Sequence, residues 1–321
     1  MTSIDLTAII HYLTIGLTTA FSAGGVSIGQ GMATQAGLDA VNRQPAAHKD
    51  ITRSLIIALA LIETGAMLGL LIPLILFFNP PATLYGALAE IGMGIAIALP
   101  AISTGYASAL PAREAFHAMS RQPFFSKKIR NLLLLAQSLI QTPLIFGFII
   151  ALIISSLIPS LTTMSQSLTL IASGLSIGLG CIGPALGSGN FTAHACKSTG
   201  LNKTIFQEMF TFTLISQALI ETAVIFAAIV SLLLISQAPS VPDYTIIGWV
   251  YIAISFTMGI GTLGAGISSG RIAASAAIQM ALNHSARTSL SRASMLAQGL
   301  VDTIPIYALI IALWVIFTPF V

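Results

Sequence analysis

The chain has 321 residues, 55% of them hydrophobic and only 7% charged, with a formal net charge of +3 and a mean hydropathy of +0.93. A soluble domain of this length devotes about a quarter of its residues to charge, so a water-soluble globular protein is excluded. Most of the surface must face lipid. The sequence describes an all-α integral membrane protein, and nothing in it calls for a nucleic acid partner.

The first apolar segment, near 6–37, imitates a secretory signal in "IIHYLTIGLTTAFSAGG". It carries Asp5 where a signal peptide has basic residues, so no cleavage is expected. Seven more segments long enough to span a bilayer follow, near 50–78, 83–118, 130–157, 166–198, 206–236, 243–281 and 290–318. All 13 Lys and Arg fall in four stretches, 43–53, 113–130, 197–203 and 271–292, which join segments one to two, three to four, five to six and seven to eight. The other connections, "NPPAT", "SSLIPSLTTMSQS" and "SQAPSVPDY", have no basic residue. The positive-inside rule then puts the four basic loops in the cytoplasm and both termini outside. The chain reads as eight transmembrane helices in four tandem hairpins, all inserted the same way round: 1–80, 81–160, 161–240 and 241–321.

Asp5 and Asp243 fall at the outer surface, Glu90 near the outer end of the third segment, and Asp39, Asp50, Glu114 and Glu208 near the basic loops. Cys181 and Cys196 read as packing residues. His11, His48, His117, His194 and His284 are scattered singly, without metal-ligand spacing.

The second segment of each hairpin repeats. "ALALIETGAML", "AQSLIQTPLIF", "SQALIETAVIF" and "AQGLVDTIPIY" align without a gap and anchor on Glu63, Gln141, Glu221 and Asp302, separated by 78, 80 and 81 residues. A threonine follows each anchor (Thr64, Thr142, Thr222, Thr303), and a glutamine precedes it by four residues in three copies (Gln137, Gln217, Gln298), with Leu59 in the first. The first segment of each hairpin carries glycines, many spaced to form one stripe along a helix, so these helices are expected to form a tight inner ring.

A charged acid at mid-membrane costs about 2.5–3.5 kcal/mol on insertion scales. That cost vanishes when the group is protonated or holds a cation. A carboxyl there can be neutral facing lipid and ionised facing water or an arginine, which is the chemistry of a shuttle. A glutamine has the same shape and never ionises, so Gln141 marks a hairpin that carries no ion. Each threonine hydroxyl has two readings: a hydrogen-bond or cation partner for an acid, or a bond to its own helix. Tyr307, five residues after Asp302, is a further candidate donor.

A glycine-rich helix, a polar loop with "RQP" and an apolar helix with one central acid together resemble the c-subunit of F-type ATP synthases. Hairpin 1 carries this in "GGVSIGQGMATQAGLDAVNRQPAA" (24–47) and "ALIETGAMLGLLIPLILFFNP" (60–80), and hairpin 2 keeps "MSRQP". The resemblance covers all four hairpins, and the chain looks like a fused, fourfold version of a protein that is normally one hairpin. It implies a homo-oligomeric ring in a bacterial plasma membrane, turning against a stator subunit that bears an arginine and gripping the central stalk through its loops. The ring is a non-catalytic part of the enzyme. Carried over, Glu63, Glu221 and Asp302 are ion carriers, and Arg43, Gln44, Pro45, Arg121, Gln122 and Pro123 are stalk contacts, with Asn202 and Asn283 in the place of the loop glutamine.

No cofactor is expected beyond the transported ion. The resemblance leaves a proton or sodium: sodium-binding relatives have a glutamine on the first helix, which Gln30 supplies only in hairpin 1, 33 residues before Glu63. The same offset gives Ser108, Ser188 and Ser269 elsewhere. One good cation site and two poor ones favour protons. Other classes open at this stage are a V-type-like pump proteolipid, a monomeric eight-span carrier and a structural proteolipid that moves no ion.

Fusion has an arithmetic consequence. If n chains close a ring, 4n hairpins carry 3n ions per turn, a quarter fewer than an unfused ring of that size. Counting hairpins in a map of the isolated ring checks this, and a number not divisible by four, in a ring with no single-hairpin subunit mixed in, contradicts it.

Overall fold

A computed structural model describes residues 3–283 and 285–318 of the chain, with only the backbone of residues 3–5. The side chain of Asp5 and the whole of His284 therefore lie outside the described residues. The helices are α1 (Ser3–Arg43), α2 (His48–Phe78), α3 (Leu84–Arg121), α4 (Ser126–Ile140), α5 (Thr142–Leu157), α6 (Met164–Leu201), α7 (Phe206–Gln237), α8 (Thr245–Leu282), α9 (Arg287–Val301) and α10 (Thr303–Phe317). Among the described residues they provide eight crossings of membrane length, because α4 with α5 and α9 with α10 each make one.

The helices run further towards the basic loops than hydropathy suggests; α3 continues to Arg121 and α6 to Leu201. At this end the first three hairpins turn within a few residues, through one-turn 3-10 helices at Pro45–Ala47, Pro123–Phe125 and Lys203–Ile205. Proline opens the first two, where its fixed φ suits a helix start and its missing N–H goes unneeded. At the opposite end α3 and α6 begin on threonine caps. The Thr83 hydroxyl accepts from the Gly86 N–H, and Thr163 and Gln166 cap each other's backbone.

The first helices of the hairpins, α1, α3, α6 and α8, stand in a row in that order, and glycine sets their spacing. A Cβ on Gly29 would overlap the carbonyl of Gly105, one on Gly174 the backbone of Gly92, and one on Gly187 the carbonyl of Gly266. Backbone thus lies on backbone in all three junctions of the row. The second helices lie along one side of it, each in the groove between its own first helix and the next. α2 touches α1 and α3, α4–α5 touches α3 and α6, and α7 touches α6 and α8. The α9–α10 crossing has α8 alone, because the row ends there. Consequently α3 and α6 are buried along most of their length, whereas α1 and α9–α10 form open edges.

Replacing Gly174 with alanine is therefore expected to lower the thermal midpoint of the detergent-solubilised protein by about 3–10 °C, the effect of forcing apart a tight contact. Gly299, with nothing within 4 Å of its missing Cβ, accepts alanine without loss. Circular dichroism melts of the two variants make the comparison.

Candidate ion-binding sites

Each anchor is the centre of its crossing. Fifteen helical residues precede Gln141 in α4 and Asp302 in α9, and the stretches 48–62 of α2 and 206–220 of α7 match them in length. At about 1.5 Å per residue, all four lie about 23 Å from the helix starts at the basic end. Two crossings are interrupted at that depth and two are not. Pro143, two residues after Gln141, and Pro305, three after Asp302, cannot donate to the carbonyls four residues back, so α5 and α10 begin anew with proline in their first turn. Gly65 and Ala223 stand two residues after Glu63 and Glu221, and α2 and α7 run through unbroken. The breaks were not expected from hydropathy, although the prolines that cause them were in view.

The sites form between consecutive second helices. Glu221 lies beside the side chain of Thr142 from the preceding crossing, with its buried Oε1 left unpaired, and Asp302 lies beside that of Thr222. Ser269, 33 residues before Asp302 on the first helix of its own hairpin, lies 3.4 Å from Oδ1. Gln141 occupies the same geometry as a fixed donor: its Nε2 lies 3.1 Å from Ser108 Oγ and 3.1 Å from the carbonyl oxygen of Leu61 in α2. Gln141 is 7% exposed, whereas Glu63, on the open edge, is exposed.

Three of the four threonines bond their own helix. The hydroxyls of Thr64, Thr222 and Thr303 each donate to the carbonyl three residues back, at 2.7 Å. The proton of Thr222, which lies beside Asp302, is therefore committed to its own helix, and of the four only Thr142, at the start of α5, has no such bond.

One turn towards the basic end, the second glutamine set ties crossing to crossing. Nε2 of Gln137 lies 3.4 Å from the carbonyl of Ala58, that of Gln217 3.5 Å from the carbonyl of Ala136, and that of Gln298 3.2 Å from Ser216 Oγ. In hairpin 1, where this place holds Leu59, Gln30 supplies the amide from α1 and donates to the carbonyl of Leu59 at 3.4 Å. Gln30 is thus occupied one turn away from Glu63. Tyr307 is 62% exposed and makes no hydrogen bond to Asp302.

Of the loop residues, Gln122 and Asn202 turn sideways. Gln122 Nε2 donates to the Gly200 carbonyl at 2.7 Å and Asn202 Nδ2 to the Ala281 carbonyl at 3.2 Å, each on the following hairpin. Arg43 pairs with Asp39 at 2.9 Å, exposed, while Gln44 and Pro45 begin the exposed turn at the end of α1. Arg121, Pro123 and Asn283 lie at the same end, with Asn283 bonded by Ser285.

One polar pair went unread as a pair. His11 Nδ1 lies 2.8 Å from Glu90 Oε2, both side chains buried, joining α1 to α3 at the end away from the basic loops. The two are 79 residues apart, one repeat length, which is the signal that would have revealed them.

Repeated hairpins with a carboxyl at mid-membrane, hydroxyl partners on the neighbouring crossing and no metal-ligating cluster among the described residues define an ion-carrying multi-pass membrane proteolipid. The family model for the ATP synthase c-subunit matches four times, at residues 13–76, 91–154, 171–234 and 252–315, and the chain belongs to that family. It is 46% identical over 68 residues to the ATP synthase c-subunit of Alkaliphilus oremlandii, 21% of this chain and 77% of that protein. It is 41% identical over 71 residues to the second ATP synthase c-subunit of Cereibacter sphaeroides, 21% of this chain and 86% of that protein. With the ATP synthase c-subunit of a Synechococcus strain the identity is 35% over 77 residues, 24% of this chain and 94% of that protein. Membership implies a ring assembly within an ATP synthase and an ion-carrying role in it.

Proposed function

We propose that this chain is the proton-carrying rotor subunit of a rotary ATP synthase, with Glu63, Glu221 and Asp302 as carriers and Gln141 as a permanently neutral hairpin. The observation that carries the choice of ion is how few oxygens surround each acid. The Thr222 hydroxyl, its proton committed to the Leu219 carbonyl, offers lone pairs towards Asp302, which suit a protonated acid or a cation alike. A hard cation takes about six oxygen ligands. Asp302 is offered Thr222 and Ser269, Glu221 is offered Thr142, and Gln30 is turned to Leu59. These shells are too sparse for sodium and sufficient for a proton.

On this reading each carboxyl crosses the lipid protonated, held by a neighbouring hydroxyl, and releases its proton opposite a stator arginine. Gln141 keeps the same shape and hydrogen bonds without a proton to release. The basic loops face the cytoplasm of a bacterial cell, where Arg43, Gln44, Pro45, Arg121 and Pro123 meet the central stalk. Gln122 and Asn202 serve there indirectly, by fixing one hairpin loop to the next.

Replacing Glu63 or Glu221 by glutamine, or Asp302 by asparagine, is expected to abolish ion-driven ATP synthesis in reconstituted vesicles, while Gln141→Ala retains most of it. A normal rate in the Glu221→Gln ring removes that residue from the carriers. Labelling by a hydrophobic carbodiimide, which reacts with protonated carboxyls, tests the ion. At fixed pH, millimolar sodium should leave the labelling of all three residues unchanged, and strong protection by sodium would overturn the proton assignment.

A further inference from the structure

His11 and Glu90 lie far from the level of the carriers. Glu90 stands 18 residues before Ser108, the serine that Gln141 bonds. At about 1.5 Å per residue that is roughly 27 Å along α3, more than half the thickness of a bilayer's apolar core, about 15 Å. Beside the pair, between α1 and the turn into α3, lies a cavity of about 340 Å³. Thr7, His11, Tyr12, Pro80, Pro81 and Thr83 line it, and Tyr12, Pro80 and Thr83 are exposed, so it opens to the aqueous phase at this end.

The contact is built for one proton. His11 Nδ1 and Glu90 Oε2 are 2.8 Å apart, and Glu90 Oε1 is buried without a partner. With one proton on the pair, either the two charges cancel or both groups are neutral. A second proton sets an imidazolium against a neutral acid, and loss of the last leaves a carboxylate with an unpaired oxygen. Either state strands a charge away from water. Nothing nearby offsets it. Among the described residues, α2, α5, α6 and the connecting turns bring no charged side chain to this end, and the other titratable groups of α1 and α3 there are Tyr12 and Tyr85. Asp5 is the remaining acid of hairpins 1 and 2 at this end, and its side chain lies outside the described residues.

The other two junctions of the row are tied here by serine hydroxyls, whose bonds do not change with pH. Ser167 of α6 donates to the Tyr85 carbonyl of α3 at 2.8 Å, and Ser255 of α8 donates to the Ala172 carbonyl of α6. The places of His11 in the later hairpins hold Ala89, Thr169 and Val250, so a titratable tie is confined to the first junction.

We propose that His11 and Glu90 form a proton-binding site separate from the carriers, loaded from the aqueous phase at this end, and that its occupancy sets how firmly α1 is held to α3 there. With one proton bound, α1 is clamped to the row. With two or none, its end loosens while α6 and α8 stay fixed. The imidazole is in the cavity wall and the carboxyl is not, so protons reach Glu90 by way of His11. This holds whichever ion the carriers move.

Two measurements on the detergent-solubilised protein test the clamp. Backbone amide exchange, read peptide by peptide, compares residues 6–16 of α1 with residues 164–174 of α6 in one sample, which cancels the intrinsic effect of pH on exchange. The ratio of the two rates should rise about tenfold, the factor for one buried group left unsatisfied, between about pH 6 and pH 9, where an imidazole gives up its proton. The His11→Gln, Glu90→Gln double variant, which keeps a neutral hydrogen-bonding pair, should show a flat ratio. A flat ratio in the unmodified protein, or the same rise in the double variant, overturns the clamp. The second measurement is nitrogen NMR of protein with isotope-labelled histidine, in which the His11 signal is the one that His11→Gln removes. That signal should titrate over the interval in which α1 loosens, and Glu90→Gln should move the interval by about one pH unit or more. A His11 signal that does not titrate, or whose titration Glu90→Gln leaves in place, overturns the shared proton.

Discussion

Backbone contact along the row α1, α3, α6, α8 is the constraint from which the remaining geometry follows. Helices that touch through glycine stand closer than side chains allow, and their registers interlock because any shift would drive a carbonyl into the opposing chain. Once the first helices are fixed at equal heights, each second helix drops into the groove between two of them, and the four anchors arrive at one depth. The polar bonds between hairpins record the same regularity. Their partners are 78 to 82 residues apart at Gln122, His11, Asn202, Gln137, Gln141, Gln217 and Gln298, so each joins equivalent heights on adjacent repeats.

That regular frame lets a costly group sit at mid-membrane. An ionised carboxyl there is penalised by a few kcal/mol, and a neutral one with an acceptor in reach is not. Thr64, Thr222 and Thr303 turn their hydroxyls to their own helices, and Thr222 thereby presents oxygen towards Asp302 on the next crossing. Gln137, Gln217 and Gln298, a turn away from their anchors, tie neighbouring crossings together close to that height. Gln141 fills the equivalent place with an amide whose Nε2 reaches Ser108 Oγ and the Leu61 carbonyl.

Much of this was legible in the chain. Four acid or amide anchors at a constant period, basic loops at alternate turns and glycines on alternate segments specify eight crossings in four hairpins, and the structure has them. What escaped was of two kinds. The interruptions at Gln141 and Asp302 come from prolines whose effect is local, and hydropathy averages over them. The directions of the amides depend on which neighbour is closer, which no single hairpin reveals: Gln30 was expected beside Glu63 and lies on Leu59, and Gln122 bonds the next loop. His11 and Glu90 each looked solitary because the partner is a whole repeat away.

Covalent fusion gives Gln141 a further meaning. A ring of identical hairpins returns to itself after every hairpin step, so each step meets the same energy profile. Here the short connections after α2, α5 and α7 fix the order carboxyl, amide, carboxyl, carboxyl, and the symmetry falls to one repeat per chain. With the carriers proposed above, the rotational landscape has a period of four steps containing one double-length stride, from Glu63 past Gln141 to Glu221. Torque in such a machine is delivered in an uneven rhythm, and elastic compliance elsewhere in the rotor has to smooth it.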